Sequence, residues 1–323
     1  MSGHVDLTVG IVSYNARELT CRCLESVLGV MRQRTGVVVL ADNGSSDGTL
    51  ETVAAAFPDV VRLSFLDNPG YGAALNRIFS RYPARVFLAM NADVLVTQDG
   101  VDPLLAFLDS HPEGALVGPR LIGRDGKPQS SCKRFPSLGL AVAELFAFHA
   151  LIPRNRWVHR FYYGDEDLTR PVWVDTISGS VMLIRSQAFQ RVGGFDEGFR
   201  MYFEETDLCR RLRDAGYGVA FCPQATVVHW HGASTLQSSV RQVEYYLSYI
   251  RFFGKHFGPG SARTLAAAVA ASTALRMLAL PLKYPPLSRH GRAILGPKLS
   301  ACCRLLGDLP RSTALRPPIQ VRP

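Results

Sequence analysis

No two of the seven cysteines have the Cys-x-x-Cys spacing and their number is odd, which argues against a zinc site and against a disulfide framework. Cys21 and Cys23 stand two apart on an expected helix, the wrong geometry for one metal, and Cys302 and Cys303 are adjacent. A reducing, cytoplasmic setting is expected. The opening residues Met1 to Asp6 lack the charged and apolar arrangement of a secretory signal, so export is not expected. No Gly-x-Gly-x-x-Gly follows the first apolar run, which excludes an NAD-linked oxidoreductase of the usual kind. Internal repeats are absent as well. Acidic side chains all but vanish after Glu244: Asp308 alone faces twelve lysines and arginines, leaving that tail with eleven net positive charges out of a chain total of +9. The first 244 residues are therefore nearly neutral. Such asymmetry points to an anionic partner for the tail alone, a membrane surface or a phosphate-bearing lipid. Nucleic acid is disfavoured, because these charges are scattered among Ala, Leu and Pro without a nucleic-acid motif.

What is present reads as globular: 323 residues, 47% of them apolar and 20% charged, enough for one large domain with an appendage. Apolar runs at Leu7–Val12, Val37–Ala41, Val60–Phe65 and Val86–Met90 are short and bounded by turn residues, as buried parallel strands are. Helix-length stretches at Ala16–Val30, Thr49–Phe57 and Tyr71–Tyr82 separate them, giving βαβ units and a mostly parallel sheet with helices on both faces. A polar motif ends each run: Ser13-Tyr14-Asn15, Asp42-Asn43-Gly44, Asn68-Pro69-Gly70 and Asn91-Ala92-Asp93. Ligands of such sheets bind beyond the carboxyl ends of the strands, so the four motifs are expected around one crevice.

Further strands are expected at Leu116–Ile122, Val172–Ile177, Val181–Arg185, Gly218–Phe221 and Ala225–His229, with a helix at Ser186–Val192. Lys133–Pro171 is an aromatic, basic insertion without clear periodicity. Serines 238 and 239 start an amphipathic helix to Phe257, which Gly258-Pro259-Gly260 breaks. Leu265–Leu282 is apolar for about a membrane span, yet Arg276 interrupts it and alanine dominates it, so an interfacial or domain-packed helix is expected. The division is then 1–257 as the main domain and 258–323 as a basic, helical, membrane-associating extension with a disordered Pro-rich end.

The most telling stretch is Phe199 to Leu212, where Glu204, Glu205 and Asp207 gather at an expected helix start behind Tyr202-Phe203. Acids in a first turn suit the helix dipole. The flanking rings would also desolvate an inward carboxylate and raise its pKa toward a general base's range.

With Val12-Ser13-Tyr14-Asn15, Asp42-Asn43-Gly44-Ser45, Asn68-Pro69-Gly70-Tyr71-Gly72, Asn91-Ala92-Asp93, Ser178-Gly179-Ser180, Gly193-Gly194-Phe195-Asp196 and His229-Trp230-His231, this stretch resembles the inverting family 2 glycosyltransferases, in particular the rhamnosyltransferase-like branch. The resemblance runs from Leu7 to Phe257 and implies a GT-A fold with a helical C-terminal extension. It implies donor contacts from Ser13, Tyr14, Asn15, Asp42, Gly70, Gly72, Asn76, Asn91 and Gly179, with Asp42 accepting from a uracil or thymine imide. Asp93 and His229 would hold Mg²⁺ or Mn²⁺, His231 being the weaker candidate; Asn91 stands where the family's Asp-x-Asp motif begins. Glu205 takes the place of the catalytic Asp, with Asp207 the other candidate acid and Glu204 left to orient the helix or bind acceptor. The implied reaction moves L-rhamnose from dTDP-L-rhamnose, with inversion, onto a lipid-linked saccharide at the cytoplasmic membrane face. A UDP-hexose donor is the rival within enzymes. A silent nucleotide-sugar-binding or scaffold protein is the rival outside them, and the Asn91 and Glu205 departures favour it.

Overall fold

Consecutive residues of β2 (Gly36–Asp42) enter different cores: Val38 and Leu40 pack on one face of the sheet, Val39 and Ala41 on the other. The same split holds for β4 (Val86–Asn91), with Leu88 and Met90 against Phe87 and Ala89. A strand apolar at every position is thus buried on both sides, as helices on both faces require. The computed structural model describes residues 6–146, 156–230, 238–284 and 289–312.

β1 (Leu7–Ser13) lies between β2 and β4, and β3 (Val61–Ser64) extends the parallel half beyond β2. The order is β3-β2-β1-β4-β10-β6-β11-β5, with β8 on β11, nine strands in all. Here β5 is Val94–Leu95, β6 Gly114–Ile122, β8 Val172–Trp173, β10 Val181–Arg185 and β11 Gly218–His229. β10 runs antiparallel between β4 and β6, while β11 is parallel to β6. Helices α1 (Arg17–Met31), α2 (Thr49–Ala56), α3 (Tyr71–Arg81) and α4 (Gln98–Ser110) fall between the first strands.

Two expectations need correction. Val172–Ile177 is not one strand: β8 pairs with β11, whereas β9 (Thr176–Ile177) pairs with β7 (Cys132–Lys133) in a separate ribbon. Asp175 marks the crossing, its carboxylate accepting from the Phe135 N–H at 2.9 Å. Conversely, Gly218–Phe221 and Ala225–His229 are one strand. Its register on β6 jumps between Cys222 and Thr226, around Pro223, which has no N–H to donate.

Downstream lie α5 (Leu138–Leu145) and α6 (Arg156–Phe161) in the basic insertion, α7 (Ser186–Arg191), and α8 (Glu204–Asp214). α9 (Ser238–Phe257), α10 (Pro259–Lys283) and α11 (Arg289–Ser312) complete the described helices. α9 and α10 are separated by Gly258 alone, at φ 87°. Ala262, Leu265, Ala266 and Val269 of α10 are buried against α9 and α5 in a third apolar cluster that also holds Phe199 and Phe203. Arg276 turns inward, donating to the Tyr246 hydroxyl at 2.8 Å and the Leu145 carbonyl at 3.2 Å. The charge that interrupts the apolar run is thus satisfied by protein groups. By length and composition α10 could cross a bilayer, with Pro259–Pro281 as the candidate span. The Pro-rich end after Ser312 lies outside the described residues.

Candidate active site

The ends of β1, β2 and β4, the loop after β3 and the ribbon formed by β7 and β9 surround a cleft of about 800 Å³. All four strand-end motifs reach it, through Ser13 and Tyr14, Asn43, Asn68 and Gly70, and Asn91 with Asp93. Their convergence follows from parallel strands ending on one edge of the sheet. The left-handed φ values of Asn15 (47°), Asn68 (43°) and Gly70 (94°) turn the chain sharply there. A side chain at Gly70 would strike the Arg200 carbonyl, so this turn packs directly on the segment leading to the acids.

The acidic corner is made by α8. Tyr202 and Phe203 both adopt φ 66°, which is costly for bulky residues. The Phe203 ring stacks on Tyr249 of α9 at 4.6 Å. This strained entry to α8 sets Glu204 and Glu205 against the cleft, 7% and 9% exposed. Glu205 Oε1 accepts from Lys133 Nζ at 3.3 Å and from the Thr206 hydroxyl at 2.9 Å. Gly179 faces its side chain, and a Cβ built there would stand 3.4 Å from the Glu205 Cβ, in ordinary contact. Glu204 is enclosed more completely and its Oε2 has no partner among the described residues. Burial, and then the Glu205 carboxylate beside it, push the Glu204 carboxyl up from 4.5 to about 8.

That shift has a sign that can be tested. A carboxyl whose pKa is higher in the folded state resists ionisation there, so folding is penalised progressively as pH rises from 4.5 toward about 8. Glu204→Gln is expected to stabilise the protein near pH 7.5 by on the order of 1–3 kcal/mol and to have little effect near pH 4. Denaturant midpoints at the two pH values check this, and an equal change at both would contradict it.

Opposite chemistry gathers at the end of β11. His229 Nε2 lies 3.5 Å from Asp93 Oδ1 and 3.3 Å from the Ser180 hydroxyl, while Nδ1 meets the Gln129 side-chain oxygen at 2.8 Å. The Trp230 N–H donates to the Asp93 carbonyl at 2.9 Å, and the indole is flanked by Arg22 and Arg124, 5.0 and 4.1 Å from the ring centre. An imidazole nitrogen and a carboxylate oxygen side by side fit a divalent cation whose remaining ligands come from a bound molecule. Among the described residues, no three His, Cys, Asp or Glu side chains converge as a closed metal site. His231 lies outside the described residues.

Five expected site residues are not brought to the cleft lining. Asp42 is fully buried, and its carboxylate accepts from the Ser45 N–H at 2.8 Å and the Ser45 hydroxyl at 2.5 Å; its neighbour Asn43 faces the cleft instead. Asn15 receives the Ser46 N–H at 2.7 Å and ties the first and second loops together. Gly72 lies under Phe195, and Asn76 clamps the same residue, accepting from its N–H and donating to its carbonyl, both at 2.9 Å. The spacing of four between Gly72 and Asn76 does put them on one face, but that face receives the Gly193–Asp196 turn. Asp207 is likewise turned away, into a buried cluster with Arg211, Lys255 and His256.

Several lining residues had no site role expected from the sequence. Lys133 opens the insertion, Gln129 orients His229, and the Tyr71 hydroxyl donates to the Gly179 carbonyl at 2.6 Å. Arg241 and Glu244 enter the lining from α9. Of these, the polar Gln129-Ser130-Ser131 run just before β7 hints at Gln129.

The family profile described as glycosyl transferase family 2 matches residues 8–193, and one described as the N-terminal domain of galactosyltransferase matches 159–231. The N-acetylglucosaminyl-diphospho-decaprenol L-rhamnosyltransferase of Mycobacterium tuberculosis is 35% identical over 244 residues, covering 71% of this chain and 77% of that protein. Rhamnosyltransferase WbbL of Escherichia coli K12 is 46% identical over 57 residues, 18% of this chain and 22% of that one. Among solved structures, the Pyrobaculum calidifontis mannosyltransferase PcManGT, in complex with GDP-Man and Mn²⁺, aligns with a TM-score of 0.55 at 16% identity, over 95% of this chain and 88% of that one. At that identity the likeness concerns the fold.

Proposed function

The chain belongs to glycosyl transferase family 2 and is a GT-A glycosyltransferase, and from that premise we propose that it moves L-rhamnose, with inversion, from dTDP-L-rhamnose onto a lipid-linked saccharide. The observation that carries this reading is the meeting, in one cleft, of the Asp93–His229 pair and the Glu204–Glu205 acids. The first suits a diphosphate leaving group and the second an attacking hydroxyl. The sugar identity is supported by the name of the 35% identical relative.

In the reaction so assigned, the acceptor hydroxyl oxygen bonds to the anomeric carbon as the carbon–oxygen bond to the nucleotide diphosphate breaks. The bonding pair leaves on the diphosphate, and the hydroxyl proton passes to Glu205. Ser13, Tyr14 and Asn43, which line the cleft, would surround the base, and Gly179 would leave space beside Glu205 for the sugar. Mg²⁺ or Mn²⁺ held by Asp93 and His229 would neutralise charge on the departing diphosphate. With Asn91 in the first acidic place, that binding is expected to depend on the donor.

Glu204 supports a second assignment of the base, since its carboxyl is the one raised toward neutral pH and its Oε2 has no partner among the described residues. Glu205 is preferred because Thr206 and Lys133 orient its carboxylate.

The deciding experiment is a screen of dTDP- and UDP-sugars for protein-dependent nucleotide release with lipid-linked acceptors. Release is expected with dTDP-L-rhamnose, and Asp93→Ala or chelator should reduce it about 10²-fold or more. Undiminished turnover in chelator removes the metal assignment, and turnover with UDP-hexoses alone replaces the donor. The basic tail supports docking on an anionic cytoplasmic membrane face. Running the screen with anionic vesicles at low and high salt checks this, since salt should release the protein.

A further inference from the structure

Strand pairing places both side chains of the Asp93 corner. His229 pairs with Val94 across β11 and β5, and the Trp230 N–H donates to the Asp93 carbonyl at 2.9 Å, so the backbones of Asp93 and His229 are held together. What strand pairing leaves open is which imidazole nitrogen carries the proton, and only a nitrogen without one can take a cation. We propose that Gln129 settles this choice, as the positioning residue that keeps Nδ1 of His229 protonated and leaves Nε2 as the metal ligand. The proposal rests on the metal assignment and names the residue that enforces it.

Gln129 stands half-buried where the chain returns from β6. A turn closed by the Gly123 N–H on the Lys127 carbonyl at 2.8 Å reverses the chain, and the Gln129 N–H then donates to the Leu121 carbonyl at 2.9 Å. Ser131 repeats the tie, its hydroxyl accepting from the Leu121 N–H at 2.9 Å and donating to the Gln129 carbonyl at 3.1 Å. With its backbone engaged on β6, Gln129 sends its side chain across to β11, the parallel neighbour. There it meets His229 twice: the amide nitrogen donates to the His229 carbonyl at 3.0 Å, and the amide oxygen lies 2.8 Å from Nδ1.

These two contacts are linked. A carbonyl oxygen only accepts, so the amide atom facing it is the NH₂ group; the other amide atom is the oxygen, which also only accepts. Nδ1, opposite that oxygen, must therefore be the donor. A neutral ring protonated at Nδ1 carries its lone pair on Nε2, the nitrogen 3.5 Å from Asp93 Oδ1. A lone pair beside a carboxylate is an arrangement that a divalent cation relieves. The Ser180 hydroxyl, 3.3 Å from Nε2, is a rotor that can donate to that lone pair or turn away from it. The opposite tautomer would set the Nδ1 lone pair against the amide oxygen and close Nε2 to metal with a proton. An outer partner that fixes a ligating imidazole in this way typically carries about 10–100-fold in metal affinity.

Histidine-selective ¹⁵N NMR of the metal-free protein, recorded well above the ordinary imidazole pKa of about 6.5, reads the tautomer directly, with His229→Asn identifying the resonances. Wild type should show Nδ1 as the protonated nitrogen of His229 and Nε2 as the unprotonated one. The reverse overturns the proposal without recourse to any Gln129 variant. Gln129→Met, close in size but without the amide, should lose that preference and bind Mn²⁺ about 10–100-fold more weakly in the presence of dTDP or UDP, with near-ultraviolet circular dichroism unchanged. A Gln129→Met protein that keeps either the tautomer or the Mn²⁺ affinity overturns the role of Gln129 and leaves the metal assignment standing. Failure of wild type to bind Mn²⁺ with either nucleotide removes the metal assignment itself, and the positioning role with it.

Discussion

Glu205→Gln should slow sugar transfer by about 10²–10⁴-fold, the usual contribution of a positioned base, while nucleotide binding stays near wild type. The amide keeps the shape of the side chain and can still receive the Thr206 hydroxyl, but it cannot take the acceptor's proton. Glu205→Asp should retain part of the activity, since Lys133 and Thr206 can follow a carboxylate that withdraws by one methylene more readily than they can replace it. Single-turnover rates for Glu204→Gln and Glu205→Gln, measured together, separate the two candidate bases. Full activity in Glu205→Gln with a collapse in Glu204→Gln transfers the role to Glu204.

Asp207→Asn should also abolish function, through the fold. Asp207 is 0% exposed and accepts from Arg211 Nε at 2.8 Å, Lys255 Nζ at 2.7 Å and His256 Nε2 at 2.8 Å. Lys255 also reaches Asp196 at 2.8 Å, and Arg251 reaches it at 3.1 Å, so α9 clamps both the Gly193–Asp196 turn and the acidic helix. Removing one member of a buried ionic cluster leaves the others uncompensated, at a cost of about 3–5 kcal/mol. Thermal and denaturant unfolding should register that loss; a Tm within a degree of wild type would mean that the cluster does not hold the corner together.

The pH dependence gives this prediction a sign. Burial by itself pushes the Asp207 carboxyl up, but the hydrogen bond from His256 and the Arg211 and Lys255 charges outweigh it and hold the group well below the usual carboxylate range. A depressed carboxylate contributes its stability above the unfolded value, about 3.9, and loses it as pH falls through the folded value. The gap between wild type and Asp207→Asn should therefore narrow in acid below about pH 4. Glu204 acts in the other direction, because burial and then the Glu205 charge outweigh its backbone hydrogen bond and the Lys133 charge. Two acids three residues apart thus titrate oppositely.

The motif residues that reach the cleft and those that do not differ in one respect. Ser13, Tyr14, Asn91, Asp93 and His229 sit at strand ends, where backbone direction alone aims them toward the crevice. Asp42 shares that location, but its side chain is claimed by a local turn with Ser45, and turn chemistry of this kind is visible in the sequence without revealing which role prevails. Gly72 and Asn76 were recognisable as one helical face. What that face meets, Phe195, lies more than a hundred residues downstream.

Local chemistry in the chain determined the alternation of two-sided buried strands with helices, the gathering of strand-end loops around one crevice, and the helix start at Glu204, since each depends on periodicity, turn residues or capping over a few positions. The tertiary structure decided the rest. Insertion of β10 antiparallel between β4 and β6 brings Gly179 against Glu205, and pairing of β7 with β9 places Lys133 in reach of the same carboxylate. Packing of α9 on the acidic corner sends Asp207 to His256 and leaves the glutamates to the cleft. Glu204, Glu205 and Asp207 are alike in sequence, all acids within one turn of helix. Which of them is neutralised, which is oriented and which is locked into an ion cluster depends on dielectric and on partners 48 to 72 residues away, and neither is a property of the local chain.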